Sequence, residues 1–137
     1  MAGQGIASIV ASPLSRARDT ADIVGHALGL PVTLDESLRE VSFGVQEGQP
    51  MSEWFDDWIF GHFTPERAET FANLRTRAVG AINRALENPV PVLVVAHGAL
   101  FRALRAEMGL PPRERLPNAT PMWCVPGDPA WVLTALA

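Results

Sequence analysis

The chain has 137 residues, a length that fits one compact domain spanning 1–137. Apolar residues make up 47% and charged residues 19%, which permits a real core and excludes a disordered chain. The net charge of −4 argues against nucleic acid as a general partner. It leaves room for a phosphorylated one, because all eleven basic residues are Arg, whose planar fork matches phosphate oxygens. The single Cys124 cannot form an internal disulfide. The apolar stretches Val90–Ala96 and Trp131–Ala137 are too short to span a bilayer. The first ten residues carry no basic region ahead of an apolar one, so a cytoplasmic setting is the default expectation.

Ile6–Ala11 is a short apolar run with β-branched residues and reads as a buried strand. Ser12-Pro13 then reads as a helix start, Ser as N-cap and Pro at the first helical position. Leu14, Ala17, Ala21, Val24 and Leu28 recur at helical spacing, and Gly29 is the expected stop. Val32–Leu34 reads as a second strand. Residues 35–64 read as loop, short helix near Ser52–Phe60, then loop again. Thr64-Pro65-Glu66 predicts the start of a long helix reaching about Leu86, with Phe71, Leu74, Ala78, Ile82 and Leu86 as its apolar stripe.

Val92–Ala96 is unalternating, as expected of a strand covered on both faces. A helix over Ala99–Met108 follows, stopped by Gly109, and Pro111–Pro121 is a connection. Met122–Val125 and Trp131–Leu136 read as closing strands joined by a Pro-Gly-Asp-Pro turn, which suggests an antiparallel pair. The strand–helix alternation predicts an α/β class, a three-layer sandwich of mostly parallel sheet with helices on both faces.

Three segments carry groups suited to chemistry. In Ser12-Pro-Leu-Ser-Arg16-Ala, Arg16 falls in the first turn of a helix that follows a strand. A helix N-terminus and a bidentate guanidinium both suit an anion. The same residue also reads as a surface Arg on an amphipathic helix. In Val-Ala-His97-Gly98, the His sits at a strand end and Gly98 allows close approach of a ligand. A capping or core histidine is the plainer reading. In Leu-Arg-Glu40, the carboxyl group can serve as general acid for a leaving alkoxide, although a loop Glu is more often simply solvated. His26 and His62 match no metal-ligand spacing with Cys124, and no metal or other cofactor is assigned. Trp54, Phe55, Trp58 and Phe60 read as core or as the mouth of a substrate site.

Taken in order, Ser-Pro-Leu-Ser-Arg-Ala, then Leu-Arg-Glu with Phe-Gly and Glu-Gly, then Val-Ala-His-Gly resemble the histidine phosphatase superfamily, in its phosphoglycerate-mutase-like branch. Glu69-Thr-Phe with the later Arg77, and Asn118 ahead of Thr120, resemble further stretches of that family. The resemblance implies phosphoryl transfer through a phosphohistidine, with Arg16 and His97 holding the phosphate beside Gly98 and Glu40 donating a proton. The implied partner is a small phosphorylated substrate or inorganic phosphate.

The family's nucleophile lies in an Arg-His-Gly motif after its first strand, and no Arg-His-Gly occurs in this sequence. The expectation is therefore an incomplete site with little activity. The family's first strand lies inside the sheet, so its absence predicts an altered sheet, poor solubility, or a second copy filling the gap as a homodimer. Two other readings stand beside this one: a non-catalytic binder of phosphate ligands that keeps Arg16 and His97, and an unrelated α/β interaction module in which Arg16, Glu40 and His97 are scattered.

Overall fold

A computed structural model of the chain describes residues 5–44, 54–112, 121–127 and 130–135. Two compact units emerge, Met1–Glu40 with Arg77–His97, and Val41–Thr76 with Gly98–Ala137.

The first unit is built on three parallel strands: β1 (Ser8–Ala11), β2 (Val32–Leu34) and β3 (Val92–Val95), in the order β2-β1-β3. Ala11 pairs with Leu34 on one side and Val95 on the other, so the three strands end together. β1 is the central strand, and its Ile9, Val10 and Ala11 are buried. Alternate residues point to opposite faces of a strand. Ile9 and Ala11 accordingly share a cluster with Ala21 of helix α1 (Ser15–Leu28), flanked by Val24, Leu28, Leu93 and Val95.

Helix α1 buries Ala17, Ala21 and Gly25, each one turn after the last. At Gly25 a Cβ would stand 2.8 Å from the Leu30 carbonyl oxygen and 3.0 Å from Val32 Cγ2, so the absent side chain lets the helix close against the chain entering β2. The helix ends at Gly29 in the left-handed region, with φ 68°. The Leu30 amide donates to Gly25 O and that of Gly29 to His26 O, the paired bonds of a Schellman motif.

The second unit centres on aromatic rings. Phe43 meets Trp58 edge-on at 4.9 Å between centroids, and Trp58 meets Phe71 at 5.2 Å. Trp58, in helix α2 (Trp54–Ile59), is fully buried and its indole N–H donates to the Glu69 carbonyl at 2.9 Å. Burial with a satisfied N–H identifies this residue as core. Phe60, by contrast, is 54% exposed. Helix α3 (Phe71–Ala85) divides between the units, and helix α4 (Gly98–Glu107) belongs to the second. Arg75 and Glu107 form an ion pair at 2.6 Å. Strands β4 (Met122–Val125) and β5 (Val132–Ala135) form their own antiparallel sheet, Met122 opposite Ala135.

The expected helix starts differ in two places. Ser12 does not open α1; its amide donates to Val95 O, extending the strand ladder by one residue, and the helix begins at Ser15. Nor does Thr64-Pro65 open α3. Arg67 adopts a left-handed φ of 63°, and the Glu69 amide is diverted to Ser42 O. The helix starts at Phe71, where Thr70 Oγ1 accepts the Asn73 amide as a cap. Ser52, within the expected short helix, and Asn118, Thr120 and Asp128-Pro129 lie outside the described residues.

Candidate active site

Because β1, β2 and β3 run parallel and end in register, whatever follows each strand emerges at one edge of the sheet. That edge is where open α/β sheets gather ligands. Ser12 follows β1, and His97 follows β3 by two residues. Asp35 follows β2, its amide donating to Ala11 O at 2.9 Å.

His97 Nε2 lies 2.8 Å from Ser12 Oγ. Ser12 is fully buried, and its Oγ also accepts the Leu14 amide at 3.2 Å. Burial holds the His97 pKa below its ordinary value; the nearby Glu40 carboxylate acts in the opposite direction, and the Arg16 guanidinium in the same direction as burial. Arg16 and Glu40 are thus the two charged residues whose fields act on His97. All three residues belong to the first unit, far apart though they stand in the sequence.

Arg16 sits exposed in the first turn of α1. Leu14 at the N-cap contributes no side-chain hydrogen bond, and the first turn has no acidic residue. The positive end of the helix dipole is therefore not neutralised by a carboxylate of its own turn, an arrangement that suits an external anion. Glu40 is half-buried and follows a one-turn 3-10 helix, Glu36–Leu38. Gly98 opens α4, is exposed, and a Cβ there would meet no neighbouring atom. His26 and His62 are both exposed, and no group of residues able to hold a metal occurs among the described residues.

Two participants were not anticipated in these roles. Ser12 was expected as a helix cap, yet its hydroxyl faces His97. The signal available was its position: it leaves β1 beside the strand that delivers His97. Arg77 was noted only as part of a resemblance; its Nη1 donates to the carbonyls of Ser37 at 2.8 Å and Arg39 at 2.6 Å, immediately before Glu40.

The family model for the histidine phosphatase superfamily (branch 1) matches residues 1–134. The chain belongs to that superfamily. It is 37% identical over 134 residues to a probable phosphoglycerate mutase GpmB of Yersinia enterocolitica, covering 85% of this chain and 62% of the relative. It is 37% identical over 106 residues to the uncharacterized phosphatase PhoE of Bacillus subtilis, covering 73% of this chain and 52% of the relative. The chain thus spans between half and two thirds of the length of these curated relatives. Among solved structures, Bacillus stearothermophilus YhfR superposes with a TM-score of 0.76 over 98% of this chain and 75% of that one, at 24% identity. A mycobacterial glucosyl-3-phosphoglycerate phosphatase in complex with inorganic phosphate superposes with a TM-score of 0.72 over 97% of this chain and 76% of that one, also at 24% identity. The fold is accordingly the α/β fold of these proteins, as the mostly parallel sheet with helices had predicted. No helix among the described residues is long and apolar enough to cross a membrane.

Proposed function

We propose that this chain carries the phosphate-holding and proton-donating part of a phosphohistidine-type phosphoryl-transfer site acting on small phosphomonoesters. The observation behind the reading is the Ser12–His97 contact at the end of the parallel strands, with Arg16 and Glu40 as the charges acting on His97. Arg16 and the first amides of α1 supply fixed donors for phosphoryl oxygens, whose charge must be held as the ester bond breaks. His97 adds a ring N–H. Glu40, if protonated at the moment of bond cleavage, delivers its proton to the leaving oxygen. Relatives named as phosphoglycerate mutase and phosphatase support this class of chemistry, and a phosphate-bound structural neighbour supports phosphate as ligand. A cytoplasmic setting fits the same class of substrate.

None of these groups is placed as an attacking nucleophile, and the 137 residues contain no Arg-His-Gly. Positioning and charge stabilisation remain without the covalent route. The chain therefore binds phosphate and turns esters over slowly or not at all. On this same observation rests the second reading, a phosphate-ligand binder without catalysis.

The test pairs calorimetry with phosphate or vanadate and a para-nitrophenyl phosphate assay on the 137-residue chain. Binding without turnover is expected. Absence of any anion binding would remove the site. Robust turnover that survives removal of host phosphatases and is lost in His97→Ala would make His97 the nucleophile and overturn the assigned roles.

A further inference from the structure

The chain leading into Glu40 is tied to α3 at two points. Arg84 binds Asp35 with two of its nitrogens, Nε to Oδ2 at 3.1 Å and Nη2 to Oδ1 at 3.3 Å. Asp35 in turn caps the 3-10 helix, its Oδ1 accepting the Ser37 amide at 2.8 Å. Arg77 holds the other end through the carbonyls of Ser37 and Arg39. Residues 77 and 84 are separated by about two helical turns, so both arginines lie on the same side of α3. The segment Asp35–Arg39 is thereby fastened at both ends to one rigid element, and the next residue is Glu40.

The form of the contact is informative. A turn that needed only stability could be held by apolar packing; Leu38 already supplies that, being fully buried. A single nitrogen shared between the carbonyls of residues 37 and 39 does something else. It fixes the orientation of the two peptide groups that set the direction in which the chain leaves the turn.

We propose that Arg77 and Arg84 are positioning residues that, through the carbonyls of Ser37 and Arg39 and the carboxylate of Asp35, hold Glu40 beside His97. The proposal rests on the reading that Glu40 belongs to the phosphate site. Neither arginine touches substrate. Each acts on the placement of the carboxyl group that would donate the proton.

The experiment follows the His97 imidazole by NMR titration of the 15N-labelled chain, its signal identified by its loss in His97→Gln. The groups acting on it are Glu40 and Arg16, with Ser12 as hydrogen-bond partner. Glu40→Gln removes a carboxylate that raises the His97 pKa, so that pKa falls. Arg77→Ala is expected to lower it in the same direction, by at least half the Glu40→Gln shift. The double variant should go no lower than Glu40→Gln alone. The sign discriminates, because simple removal of a nearby positive charge would raise the pKa instead. Arg84→Ala should give a smaller shift of the same sign, and Arg77→Lys should restore part of the loss.

A variant that only loses thermal stability, with His97 titrating as in the wild type, overturns the positioning role. So does a shift that adds to that of Glu40→Gln. If Glu40→Gln itself leaves His97 unmoved, the placement of Glu40 fails and the clamp with it; if Glu40→Gln acts and Arg77→Ala does not, the clamp alone fails. Should Arg77→Ala not fold, Arg77→Lys and Arg84→Ala decide the same comparison.

Discussion

Ser12 Oγ stands between the Leu14 amide, from which it accepts, and His97 Nε2 at 2.8 Å. With one lone pair occupied, the hydroxyl can still donate its proton to a neutral imidazole or accept one from a charged imidazole. Since burial depresses the His97 pKa, the neutral ring is the resting form at neutral pH. A neutral ring protonated on Nδ1 accepts the Ser12 proton at Nε2, and one protonated on Nε2 donates to the free lone pair of Ser12 Oγ. In either case a serine buried at a strand end engages Nε2 of the histidine.

Ser12→Ala should therefore damage both stability and binding. It leaves the part-buried Leu14 amide without its acceptor and frees the imidazole to rotate. A loss of about 1–3 kcal/mol in unfolding free energy is expected from the orphaned group, measurable by urea denaturation. Phosphate affinity should fall by several-fold in the same variant. Unchanged stability and affinity together would mean that the Ser12–His97 bond does not persist in solution.

Arg16→Ala should separate binding from folding. The side chain is exposed and makes no contribution to the core, so stability should stay within about 0.5 kcal/mol. Loss of a charge-assisted hydrogen bond worth roughly 1.5–3 kcal/mol corresponds to about a 10- to 100-fold weaker phosphate complex. Some affinity should persist through the α1 amides. Equal affinities for the variant and the wild type in calorimetry would remove Arg16 from the site.

The pH dependence has a definite sign. His97 has a folded pKa below its ordinary 6.5, so between the two values the unfolded chain binds a proton that the folded chain does not. Stability from this group is complete above 6.5 and declines as pH falls towards the folded value. Anion binding should run the other way, since a dianion favours the protonated ring. Sulfate, which keeps its charge throughout this range, should bind more tightly as pH drops through the His97 transition. Histidine-to-glutamine exchange at position 97 should flatten that profile.

Trp58→Ala should cost about 3–5 kcal/mol, the range for removing a large buried aromatic. The residue is fully buried against Phe43 and Phe71, and its loss also removes the indole N–H that donates to the Glu69 carbonyl. Thermal or chemical unfolding measures this directly. A variant of normal stability but altered ligand binding would instead return Trp58 to the substrate mouth.

Much of the fold was readable because burial leaves a plain imprint. Val92–Val95 is apolar without alternation, and the structure makes it a strand beside β1, although its residues are only part-buried at the end of the β2-β1-β3 order rather than covered on both faces. Gly29 ends a helix because the chain there needs a positive φ. The two misplaced helix starts share a cause. Ser-Pro and Thr-Pro carry the local chemistry of an N-terminus, but distant carbonyls, Val95 for the Ser12 amide and Ser42 for that of Glu69, compete for the backbone and win. Arg16, Glu40 and His97 were singled out as candidates through the order of their motifs. The Ser12 hydroxyl and the Arg77 clamp were not, because each acts on a residue dozens of positions away, and no local pattern encodes that pairing.

The two anchors of the Glu40 segment respond differently to acid. At one end Arg84 binds Asp35, whose carboxyl is held below its ordinary 3.8 chiefly by that guanidinium; this link persists above 3.8 and is lost as pH falls through the lowered value. At the other end Arg77 binds peptide oxygens, which have no proton to gain in that range. Acidification thus loosens the entrance to the turn while leaving its exit fastened. The segment is a hinge with one removable pin, and Glu40 sits on the side of the pin that stays.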